Sequence, residues 1–276
     1  MTIESGFRFS ANNLQEYLNC PRRFELKYLL RQPYPAVVSQ PVLEFEQKIT
    51  EGKQFHLIVN QFFSGVPKDI LLKRNTTAPV NSWLTAFFPF VEQFSHLNFL
   101  SEYSLLIPFE GFQLLARYDF LVQLENGSVL ILDWKTGGRQ PLLAYYEKRI
   151  QTILYPYLVD ECLPFSSIST PENPSSIMMQ YWFPNFPNTN IQFSYSVAAH
   201  KDSEIFLKHL IREIQSTSIG EFRKTEKIPR CSYCQYRTLC ERGVHAGSFD
   251  QVDDEEVDLN DLIESITLDA LDEIQY

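Results

Sequence analysis

"LLARYDFLVQLENGSVLILDWKTGG", residues 114–138, decides the architecture. Residues 114–123 read as a strand. "ENGS" (125–128) contains Asn-Gly, a strong hairpin signal. The apolar run that follows predicts a second strand over 129–135. A tight turn between the two makes them antiparallel neighbours. Asp119 then lies in one strand and Asp133 in the other. Lys135 follows Asp133 by two residues and shares its face, because side chains alternate along a strand. Taken alone, an Asp-x-Lys on a strand is most often a surface ion pair of little worth. The same pair is also what one half of an active site would look like.

Working outward, Tyr103, Leu105 and Ile107 alternate from Glu102 onward, and "EGFQ" marks a turn into the strand at 114. Upstream, Ser10 reads as the N-cap of a helix, Pro21 as the first residue of the next. Helical spacing runs over 42–63 and again over 83–99. Downstream, helices are predicted over 142–160 and 203–223. They flank strands at 177–183 and 191–197. This order predicts a mixed α/β sheet flanked by helices, in one domain spanning 1–249.

The chain has 276 residues, 44% hydrophobic, and a net charge of −10. Residues 250–276 hold eleven acidic side chains and no basic one, leaving 24 basic against 23 acidic in the body. A near-neutral body with an acidic end does not exclude a nucleic-acid substrate, since charge acts where it is placed. The end reads as an amphipathic or disordered tail, with docking, autoinhibition or solubility as its roles. No apolar run reaches membrane length and no leader is apparent, so the expected location is cytoplasmic.

Two carboxylates on adjacent strands can share a hard divalent cation such as Mg²⁺. His56, in an earlier helix, could add a nitrogen ligand and shift preference toward Mn²⁺. Lys135 could position the attacking water and neutralise charge on the phosphate. In "YYEKRIQTILYPYLV" (145–159), Gln151 and Tyr155 share a helix face, available to phosphate or bases.

"PRCSYCQYRTLCERG" (229–243) spaces Cys231, Cys234 and Cys240 as metal ligands. Cys20, Cys162, His245 and no further residue at all are the candidates for the fourth position, and Zn²⁺ and an iron–sulfur cluster both suit such thiolates. Cys162 otherwise reads as a buried free thiol.

Together these stretches resemble the RecB-like nucleases of the PD-(D/E)XK superfamily. "FSANNLQEYLNCPRRFELKYL" (9–29) is similar to that family's N-terminal motif. His56, Arg117-Tyr118-Asp119, Asp133-Trp134-Lys135-Thr136-Gly137 and Gln151-x3-Tyr155 follow in the family's order. One early and three late cysteines resemble its iron–sulfur branch, which includes AddB-type subunits and CRISPR-associated exonucleases. The family pattern often has Gly where Ala116 stands. The resemblance implies a restriction-endonuclease-like fold with an iron–sulfur staple joining its two ends. It implies a cation held by His56, Asp119, Asp133 and the Trp134 carbonyl, with Lys135 acting on water and Gln151 and Tyr155 in support. Cys20, Cys231, Cys234 and Cys240 would hold a 4Fe–4S cluster. The implied substrate is DNA, favoured as single-stranded, in repair or CRISPR-type defence. No P-loop occurs, so unwinding would need a helicase or adaptation-complex partner. The competing expectations are a non-catalytic DNA-binding scaffold of a helicase-nuclease complex and a zinc-bound structural protein.

Overall fold

The protein is described by a computed structural model covering residues 3–33, 40–162 and 176–243. The acidic tail and His245 lie outside the described residues.

The chain opens with a short strand β1 (Arg8–Ser10), which the sequence did not announce. Ser10 ends it and caps α1 (Ala11–Asn19) in a reciprocal capping box with Asn13. Cys20 ends α1, and Pro21 opens α2 (Pro21–Phe24), which runs into a wider turn at Glu25–Leu29. Next come α3 (Gln40–Phe63), α4 (Lys68–Leu71) and α5 (Ala78–Glu92). Thus the helix expected over 83–99 starts and ends earlier. The strand expected to start near Glu102 already begins at Asn98, as β2 (Asn98–Phe109).

β3 (Phe112–Gln123) organises the sheet. Along one side it pairs antiparallel with β2, from Asn98↔Gln123 to Phe109↔Phe112. Glu110 and Gly111, both with positive φ, make the two-residue turn. On its other side β3 pairs in parallel with β1 near its start, and antiparallel with β4 (Val129–Trp134) near its end. The β3–β4 turn is the expected hairpin in a three-residue form, Glu125–Gly127, with only Gly127 at positive φ.

The expected single helix over 142–160 is two: α6 (Leu143–Glu147) and α7 (Ile150–Cys162). They carry the chain across to β5 (Ile177–Trp182), parallel to β4, which pairs antiparallel with β6 (Ile191–Tyr195). A parallel pair needs such a crossover. α8 (Val197–Ser216) follows directly, capped by Ser196, six residues before the expected start. The sheet is six-stranded and mixed.

Helices cover both faces. α1, α7 and α8 bury Leu14, Leu154, Leu158 and Ile211 against Leu114, Tyr118, Ile131 and Tyr181. α3 and α5 bury Phe55, Val59, Leu84 and Phe87 against Phe120, Leu132, Trp134 and Trp182. These cores reveal an irregularity that strict alternation did not predict. In β3, Leu114, Ala116 and Tyr118 face the first core, yet Phe120 and Val122 face the second. In β2, Leu105 and Phe109 belong to the first core while Phe99 packs on the second. Both strands therefore skip a step at the same place, the Glu102–Asp119 pair. Glu102 takes φ 48°, the left-handed region that non-glycine residues avoid.

Candidate active site

Glu102 and Asp119 fall opposite each other at the skip, which brings both acidic side chains to one point. Irregularities of this kind re-aim side chains and recur beside active sites. α3 brings His56 to the same point, with Nδ1 3.4 Å from Asp119 Oδ1. One ligand atom each from His56, Glu102 and Asp119 can be chosen so that all lie within 4.8 Å of one another. A nitrogen and two carboxylates that close together form a donor set suited to Mn²⁺ or Mg²⁺. The other Asp119 oxygen accepts the Trp134 N–H at 2.8 Å, tying β3 to the Asp-x-Lys segment. Arg117 grips Glu102 from the neighbouring position of β3, at 2.7 Å.

The electrostatics of the cluster favour positive charge at His56. Burial disfavours the charged imidazole of His56, but Asp119, with Glu102 and Asp133 behind it, outweighs burial and raises its pKa to about 9. Burial pushes Asp119 up, and His56, the Trp134 N–H and Lys135 together hold it below its ordinary value. Glu102 goes the other way: burial and the Asp119 charge raise it despite Arg117.

Asp133 and Lys135 stand beside this trio. They form an ion pair at 2.8 Å, and the two residues are only 2% and 1% exposed. That excludes the surface-pair reading. Gln151, buried in the first turn of α7, donates to the other Asp133 oxygen at 2.6 Å. Of the expected site residues, His56 and Asp119 are brought together. Asp133 is adjacent but turned toward Lys135 and Gln151. The Trp134 ring is buried among Phe87, Phe90 and Trp182. Tyr155 is buried as well, its ring 4.8 Å from that of Tyr118, so it supports the core beneath the site rather than a stacking surface for DNA.

Two positions escaped the sequence reading. The sequence marks Glu102 only as the start of an alternating strand. Asn185, between β5 and β6, donates through its amide to the Thr136 and Gly137 carbonyls at 3.2 and 2.9 Å. Trp83 in turn donates to Asn185 at 2.7 Å, so the loop leaving Lys135 is pinned from α5.

The cysteines gather at the far end of α1. Cys231, Cys234 and Cys240 are buried. Cys20 lies near enough to Cys234 and Cys240 for their charges to interact, as Cys231 does to Cys240. Burial raises the Cys234 and Cys240 thiols, while Arg23 acts to lower the first and Lys224 and Arg22 the second. Arg22, Arg23 and Lys224 thus bring positive charge to these thiols. The two chain ends are also joined by hydrogen bonds: Arg22 N–H to Arg223 O, Arg230 to Asn19 O, and Tyr236 to Gln32 O. Cys162, by contrast, is exposed at the end of α7, not buried as expected, because α7 stops there at the surface.

A mixed sheet covered on both faces carries a His–Glu–Asp cluster next to a buried Asp-x-Lys. Residues 8–241 match the PD-(D/E)XK nuclease superfamily, and the chain belongs to it. No curated protein matches the chain. Among solved structures, one of SSO0001 is 14% identical, with a TM-score of 0.41, over 88% of this chain and 89% of that one. Another, from Eubacterium rectale and named a candidate exonuclease, is 9% identical, with a TM-score of 0.47, over 87% and 89%. Among the described residues no helix is long and apolar enough to cross a membrane.

Proposed function

We propose that this protein is a metal-dependent DNA exonuclease acting on single-stranded ends. The observation that carries this reading is the sealed Asp133–Lys135 pair set against the His56–Glu102–Asp119 cluster. His56, Glu102, Asp119, Asp133 and the Trp134 carbonyl would hold Mn²⁺ or Mg²⁺. The chemistry such a cation supplies is polarisation of the phosphate and acidification of a water. Lys135 orients the attacking water and offsets charge building on the phosphate. Gln151 keeps Asp133 in place, and Asn185 and Trp83 fix the loop that follows Lys135. Cys20, Cys231, Cys234 and Cys240 would hold a 4Fe–4S cluster that fastens the chain ends, with Zn²⁺ as the less favoured occupant. A helicase partner would supply single strands, in repair or CRISPR-type defence. The non-catalytic scaffold reading gains nothing from a site in which every position carries a side chain of the required kind.

The test is cleavage of 5′- and 3′-labelled DNA, linear and circular, by protein purified without oxygen, with Mn²⁺, Mg²⁺ or chelator. Metal-dependent shortening of linear single strands from an end, abolished by Asp133→Asn and Lys135→Ala, is expected. Equal cutting of circles would replace the exonuclease reading with an endonuclease one. Undiminished cutting by both variants would remove the assigned site.

A further inference from the structure

α7 begins in an unusual way. Its first residue, Ile150, directs its N–H to the Oε1 of Gln15 at 3.1 Å, from 135 residues earlier in the chain. The opening N–H groups of a helix have no partner within it and are met by a cap or by water. Here the cap comes from α1. The next residue, Gln151, is the one that holds Asp133 at 2.6 Å. Ile150 and Gln151 are both buried, so solvent reaches the turn poorly and a lost acceptor is not readily replaced. Toward the other end of α1, Gln15 Nε2 lies 3.5 Å from Asn19 Oδ1. The Asn19 carbonyl accepts from Arg230, next to Cys231, and Cys20 terminates the helix. One side chain thus stands between the cysteine-bearing end of the molecule and the turn that sets Asp133.

We propose that Gln15 is a positioning residue that locks the first turn of α7, and through Gln151 the Asp133 carboxylate, to the cysteine-bearing end of α1. The consequence for metal binding rests on the reading of Asp133 as part of the divalent-cation site; the helix lock itself does not. Gln15 touches no reacting atom. It acts by fixing the support of a ligand, and outer supports of this kind commonly change metal affinity by about 10- to 100-fold when lost. The same contact gives disorder around Cys20 a route to the site.

The full-length chain is compared with Gln15→Leu and Gln15→Glu. Leucine fills the space and removes the acceptor. Glutamate keeps an acceptor, suits a helix N-terminus, and can take a donor from Asn19 once that amide turns over. Two quantities are read: hydrogen exchange in peptides covering 143–158, and Mn²⁺ affinity by titration. Gln15→Leu should speed exchange in the first turn of α7 and weaken Mn²⁺ binding by about tenfold. Gln15→Glu should leave both near the parent values. If Gln15→Leu exchanges and binds as the parent does, there is no lock. If both variants lose Mn²⁺ equally, the side chain is packing and not an acceptor, and the proposal falls. A parent that binds no Mn²⁺ overturns the metal-site reading, and the exchange experiment still decides the lock.

Discussion

Asp133, near the end of β4, and Lys135, the first residue past it, are ion-paired at 2.8 Å with almost no exposure to solvent. Burying charges is expensive, and a buried pair is often no more stable than an apolar pair of similar shape. Removing one partner strands the other, at about 3–5 kcal/mol. Lys135→Met should therefore lower stability by about that amount and abolish cleavage. The double variant Asp133→Asn/Lys135→Met should recover most of the stability and none of the activity. Denaturant unfolding of the four proteins, analysed as a cycle, checks this. Additive losses would mean that the pair is not coupled.

Glu102 should behave as a metal-site residue and not as a strand-edge charge. It is brought to His56 and Asp119 by a left-handed backbone that costs about 1–3 kcal/mol wherever it occurs. Glu102→Gln keeps the shape and removes the charge. It should weaken Mn²⁺ binding by about tenfold and leave the melting temperature of the metal-free protein unchanged or raised. The latter follows because Asp119 no longer faces a second carboxylate. Calorimetric titration and thermal melts in chelator read the two effects. Unchanged Mn²⁺ affinity would take Glu102 out of the site.

Much of this arrangement was legible in the sequence, and the missing part has a specific cause. Asp119, Asp133 and Lys135 could be placed because one short turn fixes the register of β3 and β4. The same logic was available for Glu102. The turn at Glu110–Gly111 pairs Phe109 with Phe112 and so sets Glu102 opposite Asp119. The pleat breaks there, however, and a charge among alternating apolar residues looked like the end of a strand. Gln151 could be placed on its helix, but the break between α6 and α7 could not. At the break the Ile150 N–H meets Gln15, a partner 135 residues away that leaves no local signal. β1 spans three residues, too few to show a period.

The pKa of His56 gives the metal-free protein a pH signature. It is raised from 6.5 to about 9. A raised value means that protonated His56 stabilises the fold fully below pH 6.5, and that this contribution disappears as the pH climbs through 9. Melting in chelator should therefore fall across that window, and His56→Gln should flatten the fall. A cation competes with the proton for the ring nitrogen, so Mn²⁺ affinity should rise with pH by up to about tenfold per unit between 7 and 9. Titrations in buffers of different ionisation enthalpy should show about one proton released at pH 7. Binding without proton release would mean that His56 is not a ligand.

The four cysteines make the remaining prediction, which separates two occupants. Cys20 comes from the first helical segment, while Cys231, Cys234 and Cys240 lie more than 200 residues later. A centre shared by them closes nearly the whole described chain into one loop, and such closures stabilise by restricting the unfolded chain. Protein purified without oxygen should be brown and contain about four iron atoms per chain if the cluster is 4Fe–4S. Colourless protein carrying one zinc would favour a tetrahedral thiolate site instead. In either case Cys20→Ser should release the metal and lower the melting temperature steeply. Hydrogen bonds such as Arg22 N–H to Arg223 O would remain as a weaker fastening. Cys162→Ser, at an exposed thiol away from the other four, should change neither metal content nor stability. If Cys20→Ser keeps its full metal content, the N-terminal cysteine is not a ligand, and the chain ends are held by those hydrogen bonds and side-chain packing alone.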